Sequence, residues 1–147
     1  MIFTGLHNQT VLFEIAGYQF PDIPYDEWDS NWLMIHLNVT SSLGSWEVTD
    51  PSMLTWEIKS LARWFKDISE DPVRVDPQKV FTEPNISFEL LPGITSPRHF
   101  RIHFNLESKP VNAKKDTGYF VECPGDAETL KRYSDELMEE LSRFPRR

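Results

Sequence analysis

Between Asn31 and Thr40 an apolar side chain falls on every second residue: Leu33, Ile35, Leu37 and Val39. Trp32, Met34, His36 and Asn38 occupy the alternate positions. This period of two puts the first set on one face of a strand, where it must meet a core, and leaves the second set on the other face. The same pattern recurs at Val11, Phe13 and Ile15, at Ile86, Phe88 and Leu90, and at Phe100, Ile102, Phe104 and Leu106. Alternating strands with hairpin-length connections indicate an antiparallel sheet, because parallel strands covered on both faces read as continuous apolar runs.

Two segments carry the helical period instead. Asp50-Pro51 is expected to open the first helix, with Asp at the N-cap and Pro at the first helical position. Leu54, Ile58, Leu61, Phe65 and Ile68 then form one stripe, and Asp71-Pro72 ends it. The second helix opens after Pro124-Gly125-Asp126, with Leu130, Tyr133, Leu137, Leu141 and Phe144 as its stripe and Pro145 as its stop. Shorter strands are expected at Ser45 to Thr49, Lys79 to Thr82 and Tyr119 to Cys123. The expected fold class is α+β: a mainly antiparallel sheet of about five to seven strands with two helices packed on one face. The chain of 147 residues shows no repeat and no linker, so one domain spanning residues 1–147 is expected.

Charge is distributed unevenly along this framework. No Lys or Arg precedes Lys59, whereas eight acids do: Glu14, Asp22, Asp26, Glu27, Asp29, Glu47, Asp50 and Glu57. The remaining acids and bases cancel, so the whole net charge of −8 resides in the first segment. Tyr18 to Asp29 interleaves Tyr18, Phe20, Tyr25 and Trp28 with Asp22, Asp26, Glu27 and Asp29. A field of one sign steers an oppositely charged partner, and Tyr and Trp are enriched among binding hot spots. The loop reads either as a surface for a basic partner or as a solvated acidic loop that aids solubility. The acidic balance argues against direct nucleic-acid binding, which calls for clustered cations.

Cys123 is the only cysteine, which precludes an intrachain disulfide and fits a reducing cytoplasm. The start of the chain lacks a signal-peptide pattern, and no apolar run is long enough to span a membrane. The sequence contains no phosphate-binding glycine loop, nucleophile elbow or His-Glu-x-x-His. No cofactor is expected. His99, Arg101 and His103 would share one strand face, with His36 on that face of a neighbouring strand. Two His four residues apart on a strand are about 13 Å apart, too far to bind one metal. A small metal- or ligand-binding enzyme using the His99, Arg101 and His103 face is the alternative to a binding protein. Trp32, Met34 and His36, with Arg101 and His103, make the open face either a covered surface or a binding surface.

Several strings, taken in order, resemble the WapI-type immunity proteins of bacteria. They are Gly17-Tyr18-Gln19-Phe20-Pro21, Asp29-Ser30-Asn31-Trp32-Leu33 and Asp50-Pro51-Ser52-Met53-Leu54-Thr55-Trp56-Glu57. Phe81-Thr82-Glu83-Pro84-Asn85-Ile86-Ser87-Phe88 and the ending Phe144-Pro145-Arg146-Arg147 agree as well. The resemblance implies a cytoplasmic, non-enzymatic antitoxin that neutralises the C-terminal domain of a contact-delivered toxin, in the namesake system a tRNA-cleaving nuclease. It carries over no catalytic or interface residues. Together with the charge pattern it makes Tyr25, Asp26, Glu27, Trp28 and Asp29 the candidate partner-binding residues, facing a basic toxin domain.

Overall fold

A computed structural model describes residues 1–26, 28–93 and 95–147. Among the described residues the expected α+β class is present, with eight strands arranged as two antiparallel sheets of four. The first sheet has the order β1 (Ile2–Thr4), β2 (Thr10–Tyr18), β3 (Trp32–Ser41) and β4 (Gly44–Leu54). After α1 (Thr55–Glu70), the second sheet follows as β5 (Gln78–Lys79), β6 (Ile86–Leu90), β7 (Arg98–Phe104) and β8 (Tyr119–Gly125). α2 (Ala127–Ser142) closes the order. In both sheets every strand pairs with its sequence neighbour, the arrangement that short connections favour.

One core serves both sheets and both helices. Its centre is Phe3, on a strand that the alternation of the later segments did not mark. The Phe3 ring lies 4.8 to 6.4 Å from the rings of Phe13, Phe65, Phe88, Phe100 and Tyr133. Those five partners come from β2, α1, β6, β7 and α2, so this three-residue strand joins every layer. Two further contacts tie the sheets together. Gly5 passes so close to β8 that a Cβ there would sit 2.6 Å from Val121 Cγ1 and 3.0 Å from the Glu122 carbonyl oxygen. Trp46 of β4 donates from its indole N–H to the Ser108 carbonyl at 2.8 Å and packs edge-on against Phe104 and Tyr119.

The first helix starts later than its Asp50-Pro51 signal suggests. Asp50 and Pro51 belong to β4, opposite Ile35 and Met34 of β3, and the register slips at this point. β4 is an edge strand, where a proline without an N–H removes no ladder bond. The helix begins at Thr55, and Glu57 supplies the cap by accepting from the Leu54 N–H at 2.9 Å. The other Glu57 oxygen accepts from the N–H and hydroxyl of Thr82, at 2.7 and 2.8 Å. Glu57 is buried, so it contributes little to the surface field in which its charge was counted. Trp64, off the main stripe of α1, is buried as well and donates to the Asp76 carbonyl at 2.8 Å. At the second helix, Asp126 caps as expected, accepting from the Thr129 N–H.

Candidate partner-binding surface

Tyr18 ends β2 and Trp32 starts β3, so the acidic-aromatic loop caps one end of the first sheet. Proline at positions 21 and 24 stiffens it, and Asp26 folds its second half. One Asp26 carboxylate oxygen accepts from the N–H groups of Trp28 and Asp29, each at 2.8 Å. Those N–H groups, Trp28 first, hold the Asp26 carboxyl below its ordinary value. The Ser30 hydroxyl and the Asn31 side-chain amide donate back to the Asp26 carbonyl.

Below the loop runs the tail that follows α2. Buried Asn31 binds both ends of Arg147: its Oδ1 accepts from the Arg147 N–H at 3.0 Å, and its Nδ2 donates to the Arg147 carbonyl at 2.9 Å. The Arg147 guanidinium lies 3.7 Å from the centroid of the Tyr18 ring and donates to the carbonyls of Pro21 and Ile23. Phe144 also packs edge-on against Tyr18, with ring centroids 5.7 Å apart. Arg146 stacks on Trp56 at 4.9 Å, and Trp56 meets Trp28 edge-on at 5.5 Å. The ending Phe144-Pro145-Arg146-Arg147 is thus the floor of the loop.

The partner-binding residues expected from sequence have three kinds of position. Tyr25 is 87% exposed and Trp28 is 51% exposed even though it rests on Trp56. Asp26 and Asp29 are exposed, Asp26 being also the residue that shapes the turn. Glu27 lies outside the described residues.

Chain asymmetry persists in three dimensions. Among the described residues, no Lys or Arg forms an ion pair with any acid of residues 1–58. Those lysines and arginines that do form ion pairs meet acids of α1, α2, β8 and the turn after α1, as in Arg63–Asp67, Arg132–Glu136 and Arg101–Glu122. Arg146 and Arg147 approach the loop, weakening its field locally, but they engage rings and carbonyls rather than carboxylates.

A family model described as the Immunity protein WapI-like family matches residues 1–145. The chain belongs to that family. The expected resemblance therefore holds over residues 1–145, and membership of an immunity-protein family implies a toxin protein as partner. No curated protein matches it.

The histidine face of this immunity protein differs from expectation. β3 and β7 lie in different sheets, so His36 is not on the face of His99 and His103. On the second sheet, His99, Arg101 and His103 each find a cross-strand partner. His99 and Arg101 share Glu122, at 3.0 and 3.1 Å, and His103 meets Glu89 at 2.8 Å. Burial raises the Glu122 carboxyl, but the hydrogen bonds from His99 and Arg101 outweigh it and hold the group below its ordinary value. Arg101 also covers the Phe120 ring at 4.5 Å. No group of three or more His, Cys, Asp or Glu among the described residues is arranged to hold a metal ion. Cys123 is fully buried, and burial pushes its thiol up to about 12, the reverse of what a nucleophile requires. No helix among them is long and apolar enough to cross a membrane.

Proposed function

We propose that this immunity protein works in the cytoplasm as a non-enzymatic, single-domain inhibitor that binds a basic toxin domain, a nuclease, through its acidic-aromatic loop. Family membership supports the toxin as partner. The observation that carries the surface is the absence of Lys or Arg ion pairs to the exposed acids of residues 1–58 among the described residues. Carboxylates without a Lys or Arg beside them keep most of their field, while Tyr25 and Trp28 offer apolar area next to them.

Nucleases that act on RNA present cationic grooves to phosphate, and an inhibitor can occupy such a groove with carboxylates. Long-range attraction of this kind raises association rates to about 10⁸–10⁹ M⁻¹s⁻¹ at low salt. Aromatic anchors that become buried then slow dissociation, each worth on the order of 2 kcal/mol. The roles within the loop differ: Asp29 and Glu27 steer, Tyr25 and Trp28 anchor, and Asp26 steers while holding the turn.

Co-expression with candidate toxin domains, scored by growth rescue, tests the reading and identifies the toxin. For the surface, an Asp26→Asn, Glu27→Gln, Asp29→Asn variant should associate more slowly with the rescued toxin and with a flatter salt dependence. The Asn at 26 keeps the oxygen that the turn requires. Wild-type association kinetics in this variant would place the docking surface elsewhere.

A further inference from the structure

The first sheet, β1 to β4, is built wholly from the segment without Lys or Arg. Its inward side chains, such as Val11, Phe13, Leu33, Ile35, Leu37 and Val39, are fully buried. On its outer face Leu12, Trp32, Met34 and His36 are half-buried, and Glu14 and Glu47 are exposed. Glu14 stands opposite His36, and His36 reaches Glu47 at 3.6 Å. Ile2, 51% exposed, extends the apolar part across the register from Leu12.

The two outer faces of this molecule can be compared directly. That of the second sheet sets an arginine against a carboxylate, Arg101–Glu122 at 3.1 Å, and gives Glu89 and Glu122 histidine partners besides. The first sheet has no Lys or Arg, and His36, which reaches Glu47, is the one histidine its strands contribute to the outer face. Its outer face also carries Trp and Met, residues enriched at protein interfaces, where a solvated antiparallel face is ordinarily polar. We infer that the outer face of the β2–β3–β4 sheet, centred on Glu14, Trp32, Met34 and Glu47, is a second docking surface for a cationic protein domain, continuous with the loop.

Continuity follows from the backbone: Gln19 N–H donates to the Trp32 carbonyl at 2.8 Å, so the loop leaves and re-enters the sheet beside Trp32. Area points the same way. A stable interface needs roughly 800 Å² from each partner, more than one short loop presents. Three strands spaced about 4.8 Å apart add a patch on the order of 300 Å² in projection. The occupant is the toxin domain, because its Lys and Arg would supply the fixed positive charges that the sheet itself lacks beside Glu14 and Glu47. This inference rests on the proposed immunity function.

The test uses the full-length protein and an inactivated form of the toxin domain identified by growth rescue. Glu14→Lys combined with Glu47→Lys should slow association at least 10-fold at low salt. Hydroxyl-radical labelling of Trp32 and Met34 in the wild-type protein should fall on complex formation. The control reverses Glu70 and Glu128, two exposed acids at the end of the helix pair away from the loop. If the Lys variant fails to fold, Glu14→Gln with Glu47→Gln removes the charge alone and should slow association about 3-fold. Wild-type kinetics in the sheet variants, equal slowing in the control, or unchanged labelling of Trp32 and Met34 would each overturn the sheet surface. A wild-type protein that binds no toxin domain overturns the immunity reading itself and the sheet surface with it.

Discussion

The Arg147 guanidinium stacks on the Tyr18 ring at 3.7 Å, joining residues at opposite ends of the sequence. The same guanidinium binds the Pro21 and Ile23 carbonyls, so one side chain sets the height of the loop above the tail. A cation over an aromatic face is worth about 0.5–1 kcal/mol when partly exposed, and hydrogen bonds from charged groups add to it.

Arg147→Ala should therefore cost on the order of 1–2 kcal/mol in urea unfolding. Proteolytic cleavage between Phe20 and Asp29 should speed up as well. Arg147→Lys should recover only part of both effects, because an ammonium cannot stack and bridge two carbonyls at once. Resistance to protease equal to that of the wild type would show that the loop holds its shape without the tail.

Phe3 tests whether the shared core is cooperative. Phe3→Ala removes a ring in contact with five others and should cost about 3–5 kcal/mol. Circular dichroism and near-ultraviolet signals should lose stability together. A transition in which the second sheet unfolds separately from the first would contradict the shared core.

Glu57 is a buried carboxylate with three donors: the N–H groups of Leu54 and Thr82 and the Thr82 hydroxyl. Glu57→Ala leaves those donors unpaired and should cost about 2–4 kcal/mol. Glu57→Gln should still destabilise, because one of its two ends becomes a donor facing donors. Equal stability of the Gln variant and the wild type in urea would show that the carboxylate is not needed there.

Cys123, its thiol pushed up to about 12 by burial, should resist alkylation at pH 8 in the folded protein. Addition of denaturant should make it react with the midpoint of unfolding. Rapid labelling of native protein would mean that β8 opens locally.

Asp26 gives the pH dependence a sign. Its folded value lies below the ordinary 3.8, so its contribution to the turn is complete above 3.8 and is lost only as pH falls beneath it. The backbone N–H resonances of Trp28 and Asp29 should shift together with a midpoint under 3.8. Asp26→Asn should abolish that titration. A midpoint at or above 3.8 would mean that the two N–H groups do not hold the carboxylate in solution.

Local pattern made much of the fold legible. The alternation from Leu33 to Val39 and the stripes from Ile58 to Ile68 and from Leu130 to Leu137 are buried as their periods require. Side-chain direction within an element follows from backbone geometry alone. The Asp50-Pro51 helix signal misled because pairing with β3 outweighed a capping preference worth about 1 kcal/mol. Phe3 went unnoticed because a three-residue strand has no period to read.

The sequence by itself determined where charge could be cancelled and where it could not. With no Lys or Arg before Lys59, any sheet made from that segment can meet such a cation only from a later part of the chain or from a partner. Only the tertiary structure decided which acids remain on the surface, by burying Glu57 at a helix start and binding Asp50 to Asn85. It also decided that strands β3 and β7 part into separate sheets and that the tail lies under the loop. These choices depend on contacts between residues far apart in the chain, and a periodic pattern cannot encode its partner's position.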